Sequence, residues 1–233
     1  MTRGTRAARR GSSTRVAWLA MTACLCLVVA GEPVVAQAGR GAAGDSARAD
    51  SARRAERTGS MPAGFGSLRR DDIAIKVQIL GLTVTAIPLD ESVIRTLSPD
   101  SYQALHRLRE SKAKQLDSIR TRMGIASVEA WYVLFYNQQQ GEARFDPSDF
   151  LIRSAGRDFR PLTWLQLKPG FGDGRLAQRA QQDAIYVFDP QVDLTQPLTV
   201  TIGTQESSTW GDVLQLIESE RSRIWSRSAA AKP

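Results

Sequence analysis

Residues 128–136 read Val-Glu-Ala-Trp-Tyr-Val-Leu-Phe-Tyr, with Glu129 as the lone charge. Aromatic and β-branched residues fall on both parities of this run, which predicts a strand buried on two faces and therefore inside a sheet. Upstream, Ile73, Ile75, Val77 and Ile79 alternate with Ala74, Lys76 and Gln78, the period of a half-buried strand. Leu82, Val84 and Ala86 repeat that period after Gly81, which marks a bulge or bend, and Pro88 ends the pairing. Downstream, Phe150 to Ile152 and the segment around Phe159 flank Ala155-Gly156, a hairpin signal. Thr163 to Leu167, Ala184 to Phe188 and Leu198 to Ile202 follow as further strands. No helix-length segment separates these later strands, which argues against parallel βαβ units. The fold class predicted is α+β, an antiparallel β-sandwich of about seven strands.

Two helices are added to it. Ser98 as N-cap, Pro99 at the first helical position and Gly124 at the stop predict one helix over 99–123. Its apolar stripe of Tyr102, Leu105, Leu108, Leu116, Ile119 and Met123 is thin, so it is expected on the surface of a sheet. A second helix over 210–226 starts at Thr209, with Asp212 three residues on. Trp210, Val213, Leu214, Ile217, Ile224 and Trp225 form its docking face.

The first 38 residues have a different character. Arg3, Arg6, Arg9, Arg10 and Arg15 precede the apolar run Val16 to Ala30, the n-region and h-region of a secretory signal. Fifteen helical residues rise about 22 Å, short of the roughly 30 Å hydrocarbon core, so cleavage is expected, after Ala36-Gln37-Ala38. Met21-Thr22-Ala23-Cys24 distantly resembles a lipobox, although the apolar run continues beyond Cys24. The membrane therefore enters only through an uncleaved leader or a lipidated Cys24. Residues 39–70 hold Met61, Phe65 and Leu68 as their large apolar residues and are otherwise rich in Ala, Gly, Ser and Arg, so a disordered basic linker is expected. The domain expected is 71–227, with a tail over 228–233.

Charge divides along the same boundaries. The whole chain carries +7, but residues 1–38 contribute five Arg against Glu32, and residues 39–70 seven Arg against Asp45, Asp50 and Glu56. The remaining 163 residues therefore hold 19 basic and 20 acidic side chains, a net of −1. A near-neutral domain lacks the electrostatic footprint for phosphate backbones, so no nucleic acid is expected as partner. Both cysteines, Cys24 and Cys26, precede the domain, and His106 is the sole histidine. Zinc cages, thiol catalysis and disulfides are thereby excluded after residue 38, and no cofactor is expected.

Four aspartates are the metal and acid candidates. Phe145-Asp146-Pro147 with Asp149, and Phe188-Asp189-Pro190 with Asp193, could offer hard oxygen ligands to calcium or a carboxylate pair for hydrolysis. Asp before Pro is equally a turn starter, and the spacing lacks the alternation of an EF-hand loop. Ser111-Lys112-Ala113-Lys114 has S-x-x-K spacing but no partner motif. His106 has no recognisable triad member beside it. Pro169-Gly170-Phe171-Gly172-Asp173-Gly174 is glycine-dense without the strand and helix of a phosphate loop. It reads instead as a long partner-contact loop, with Phe171, Asp173, Arg175 and Arg179 as candidate contacts.

The order of these features resembles a known family. An aromatic strand running into Asn137, then Asp149-Phe150-Leu151-Ile152, Gly156-Arg157-Asp158-Phe159-Arg160-Pro161, Leu167-Lys168-Pro169-Gly170, Ala184-Ile185-Tyr186-Val187-Phe188 and Leu198-Thr199-Val200 are its line-up here. They resemble the extracytoplasmic immunoglobulin-like domains named after telomeric repeat-binding factors, found in bacterial secreted proteins and lipoproteins. The resemblance covers residues 128–203, and the two helices depart from it. It implies an immunoglobulin-like sandwich serving as an accessory or binding module, with no catalytic residues carried over. The combined expectation is an exported, periplasmic or extracellular, non-enzymatic module for another protein or an envelope polymer. A small hydrolase or calcium-dependent module built on the loop aspartates is the alternative.

Overall fold

A computed structural model describes residues 61–79 and 81–230. The expected leader, positions 39–60 and the last three residues lie outside the described residues. The chain is α+β. A turn of helix, α1 (Arg70–Ile73), leads into β1 (Ile75–Ile79) and β2 (Leu82–Pro88). Ile73 is the last residue of that turn instead of part of the strand. Gly81 is neither bulge nor bend: at φ +80 it sits in the tight turn that pairs Ile79 with Leu82. A short helix, α2 (Glu91–Ile94), follows, with Asp90 as its cap, accepting from the Ser92 amide at 2.9 Å.

The helix expected over 99–123 is two helices, α3 (Pro99–Ser111) and α4 (Ala113–Met123), broken at Lys112 with φ −108° and ψ 2°. The Ser111 hydroxyl donates to the Leu108 carbonyl at 2.6 Å, a side-chain bond that competes with the helical ladder at this point. Leu105, Leu116 and Ile119 are buried as the stripe requires, whereas Met123 is exposed. Gly124, at φ +65, closes α4 in the left-handed region.

Eleven strands are formed among the described residues, several of them too short for periodicity to announce. The central strand β3 (Glu129–Asn137) pairs with β2 on one side and β9 (Gln181–Phe188) on the other, as its two-faced apolar sequence predicts. With β7 (Thr163–Gln166) at the far edge, the first sheet has the order β1-β2-β3-β9-β7. The second has the order β11-β10-β5-β6, from β5 (Phe150–Ser154), β6 (Arg157–Phe159), β10 (Leu198–Ile202) and β11 (Gln205–Ser207). A two-residue ribbon joins β4 (Ala143–Arg144) to β8 (Arg175–Leu176). Every pairing between these strands is antiparallel.

The two sheets meet through rings. Phe150 of β5 lies 5.0 Å from Tyr186 and 5.8 Å from Phe188 of β9, and Trp131 of β3 lies 6.4 Å from Phe188. This arrangement is compatible with a β-sandwich. Each such ring removed from water stabilises the fold by roughly 1.5–3 kcal/mol, and the tilted contacts add to that.

The last helix, α5 (Trp210–Ala230), runs four residues beyond the expected end. The Trp210 ring lies tilted against Trp131 with centroids 6.2 Å apart, and its Nε1 donates to the Leu194 carbonyl at 3.2 Å. Its buried positions are Trp210, Val213, Ile217, Glu220 and Ile224, so a carboxylate occupies the middle of the stripe while Trp225 faces outward. The reason lies upstream. Residues 61–69, assigned to the linker by composition, are packed: Met61 and Leu68 are buried, and the Ser67 amide and hydroxyl both donate to Glu220 Oε1 at 2.8 Å. Arg227 completes the clasp, 3.0 Å from Glu220 and bonded to the Phe65 carbonyl. Gly66 passes so close to α2 that a Cβ there would stand 2.2 Å from the Thr96 carbonyl oxygen.

Candidate functional site

Asn137 ends β3 and organises the open end of the two sheets. Its side chain is fully buried, and its Nδ2 donates toward the carbonyls of Gly141, Leu176 and Ala177 at 2.9, 3.0 and 3.2 Å. Its Oδ1 accepts from the Gln139 amide at 3.0 Å. One amide thus fixes the loop before β4 and the strand β8 that pairs with it, a role the ribbon's two-residue strands could not fill alone. Beneath the ribbon, Phe145 stacks on Phe135 with centroids 4.4 Å apart, and Phe171 stands 5.7 Å from both. The Tyr186 hydroxyl donates to the Pro147 carbonyl at 2.9 Å, tying the turn after β4 to the first sheet. Gly174, at φ +63, lets β8 approach: a Cβ there would lie 2.6 Å from the Phe145 carbonyl oxygen.

These contacts leave a cleft of about 530 Å³ between the ribbon, the β1–β2 turn and the end of β10. Ile79, Leu82, Phe135, Phe145 and Ile202 give it an apolar floor. Arg144, Arg175, Asp146, Asp149 and Asp173 also line it. The arginines are register partners across the ribbon, and Glu142 Oε1 lies 3.8 Å and 3.9 Å from their Nε atoms. The volume falls within the range of about 300–1,000 Å³ typical of ligand clefts.

The four candidate aspartates do not form one group: Asp146 and Asp149 share the cleft, and Asp189 and Asp193 do not line it. Asp146 caps the single helical turn Pro147–Asp149, accepting from the Ser148 hydroxyl and amide at 2.7 and 2.8 Å, and those bonds hold its carboxyl below the ordinary value. Asp189 accepts from the Gln191 amide at 2.9 Å, and Asp193 from the Thr195 amide and hydroxyl at 2.8 and 2.7 Å. All three are turn-forming caps of the Asx type. Asp149 immediately precedes β5, while the Asp193 amide donates to Ser154 at the other end of that strand, a separation of about 16 Å along the backbone. That exceeds the roughly 5–10 Å over which two carboxylates can work on one glycosidic bond. Among the described residues no three His, Cys, Asp or Glu side chains form a group able to hold a metal ion.

Of the loop contacts, Phe171 is fully buried and anchors the loop instead of facing a partner, because its ring completes the cluster with Phe135, Phe145 and Tyr186. Asp173, Arg175 and Arg179 are exposed, and the first two line the cleft. The segment is no long loop: it carries a helical turn at Phe171–Asp173 and the strand β8. His106 is engaged, with Nδ1 2.8 Å from Glu91 Oε1, and Glu91 also accepts from Arg95 Nε at 2.7 Å. Burial acts to raise the Glu91 carboxyl, and Arg95 and His106 outweigh it, holding the group below its ordinary value. The Ser111 hydroxyl is committed to the Leu108 carbonyl, which leaves the S-x-x-K spacing without a free nucleophile. Sequence reasoning missed Arg144 and Phe145 as cleft residues; their signal, one strand residue beside one aromatic, is too short to register as a pattern.

No family model matches the chain, and no curated protein matches it.

Proposed function

We propose that the chain is an exported envelope protein whose domain is a non-enzymatic binding module, and that its ligand seats in the cleft at the end of the two sheets. The observation that carries this reading is the combination of an apolar floor with exposed charged walls on a ribbon fixed by a buried asparagine. Such a concave site, with an apolar floor and charged groups at its border to fix orientation, is what a binding module needs. Export is supported by the basic and apolar order of residues 1–38.

The immunoglobulin-like reading of residues 128–203 is supported by where its line-up falls. Asn137 ends β3, Ala155-Gly156 turns β5 into β6, and Phe188 ends β9. In this reading β1 and β2 are additions that extend the first sheet, and the helices are further additions.

The test is affinity capture from envelope extracts, run in parallel with wild type and an Ile79→Glu variant that places a charge on the cleft floor. A defined partner retained by wild type and lost from a variant with an unchanged melting profile is expected. Equal retention by both, or turnover of a small ester or glycoside panel without any retained partner, would overturn the reading.

A further inference from the structure

The walls of the cleft say which chemistry it accepts. Arg144 and Arg175 face each other directly across the β4–β8 ribbon, an arrangement in which like charges destabilise the pair. Their side chains are 75% and 60% exposed, so they are not held there by packing. Glu142 is the acid within ion-pair distance of either among the described residues. At 3.8 and 3.9 Å it stands outside hydrogen-bonding distance of both Nε atoms. Two planar guanidinium groups that share the single carboxylate of Glu142 therefore border the same opening as three exposed aspartates.

A polyanion meeting the arginines would be repelled by Asp146, Asp149 and Asp173, and a polycation meeting the aspartates would be repelled by the arginines. The hydroxyls of a neutral sugar can donate to the aspartates and accept from the arginines, but they neutralise neither set of charges. What satisfies the opening carries both signs a few ångströms apart, with an apolar group between them for Phe145 and Ile79. A polypeptide has that character.

Resting on the reading of the cleft as the binding site, we infer that its ligand is a mixed-charge polypeptide segment. It sets an acidic side chain against Arg144 and Arg175, a basic one against the aspartates, and an apolar one on the floor between them. The inference separates a protein partner from a polyanionic envelope polymer.

The experiment uses fluorescence anisotropy at about 0.15 M salt, where exposed charges are screened beyond about 8 Å. The probes are three twelve-residue peptides of equal apolar content, one mixed, one all-acidic and one all-basic, with a sulfated polysaccharide as fourth. The mixed peptide is expected to bind at least ten-fold more tightly than any other probe. Arg144→Ala with Arg175→Ala should weaken it at least five-fold while improving the basic peptide. Asp149→Asn with Asp173→Asn should weaken it likewise while improving the acidic peptide, a crossover that loss of folding cannot produce. If a single-sign probe or the polysaccharide binds equally well and Ile79→Glu abolishes that binding, the cleft stands as a site and the mixed-charge inference fails. If no probe binds, both fail.

Discussion

Asn137 and Leu176 are 39 positions apart in sequence and are joined by a 3.0 Å hydrogen bond from the asparagine amide to the leucine carbonyl, with both side chains buried. The same nitrogen serves Gly141 and Ala177, so its removal strands several buried carbonyls at once. Asn137→Ala is expected to cost about 2–3 kcal/mol, and Asn137→Asp as much, since a carboxylate accepts where donors are needed. Urea denaturation measures the loss. A variant within 0.5 kcal/mol of wild type, on the scale of about that expected for a surface change, would show that the ribbon holds itself.

The β5–β6 hairpin turns through Ala155 at φ 50° and Gly156 at φ 74°, the geometry of a type I′ turn. Alanine is strained there, whereas asparagine tolerates the left-handed region. Ala155→Asn is expected to raise stability by about 0.5–1 kcal/mol, read as a higher thermal midpoint; the side chain is exposed, so no packing changes accompany it.

At Glu220, burial acts to raise the carboxyl, but the Arg227 guanidinium and the Ser67 hydroxyl and amide outweigh it and hold the group below its ordinary 4.5. A carboxyl lowered on folding contributes stability that is present above its unfolded value and is lost as pH falls through the folded value. Wild type should therefore weaken from about pH 5 downward. Glu220→Gln, missing about 2 kcal/mol at pH 7 because Arg227 loses its buried partner, should show a shallower acid decline. Parallel curves for the two proteins between pH 7 and 3 would contradict the assignment.

Tyrosines report the opposite limb. Burial beside Asp183, which accepts from the Tyr132 hydroxyl at 3.1 Å, pushes that phenol up to about 12, and burial pushes Tyr186 higher still. A phenol raised on folding gives stability that is whole below the unfolded value near 10 and is lost as pH rises toward the folded one. Phenolate absorbance should climb incompletely between pH 10 and 11 and then jump when the protein unfolds. A smooth titration of all four tyrosines near pH 10 would refute it.

Longer elements were legible because each repeats one physical rule often enough to be counted. β3 has nine residues, and its apolar composition on both faces, like that of Ala184 to Phe188 in β9, matches a place inside the first sheet. The paired strands β4 and β8 have two residues each, and β8 is held by a side chain 39 positions before Leu176, a contact no local window contains. For the same reason the cleft was half visible. The glycines drew attention to Asp173 and Arg175, but Arg144 joins them only through the ribbon register. Residues 61–69 looked like spacer because they close the stretch 39–70, which is rich in Ala, Gly, Ser and Arg. Their order comes from Glu220, whose charge on an otherwise apolar helical stripe was the one available hint.

Ser67 and Glu220 are separated by 153 positions. A nascent chain that stops short of α5 has no carboxylate for Ser67, no Trp210 against Trp131 and nothing to pin Phe65. The packing of residues 65–67 therefore waits for α5, which makes truncation within that helix more damaging than its distance from the cleft suggests.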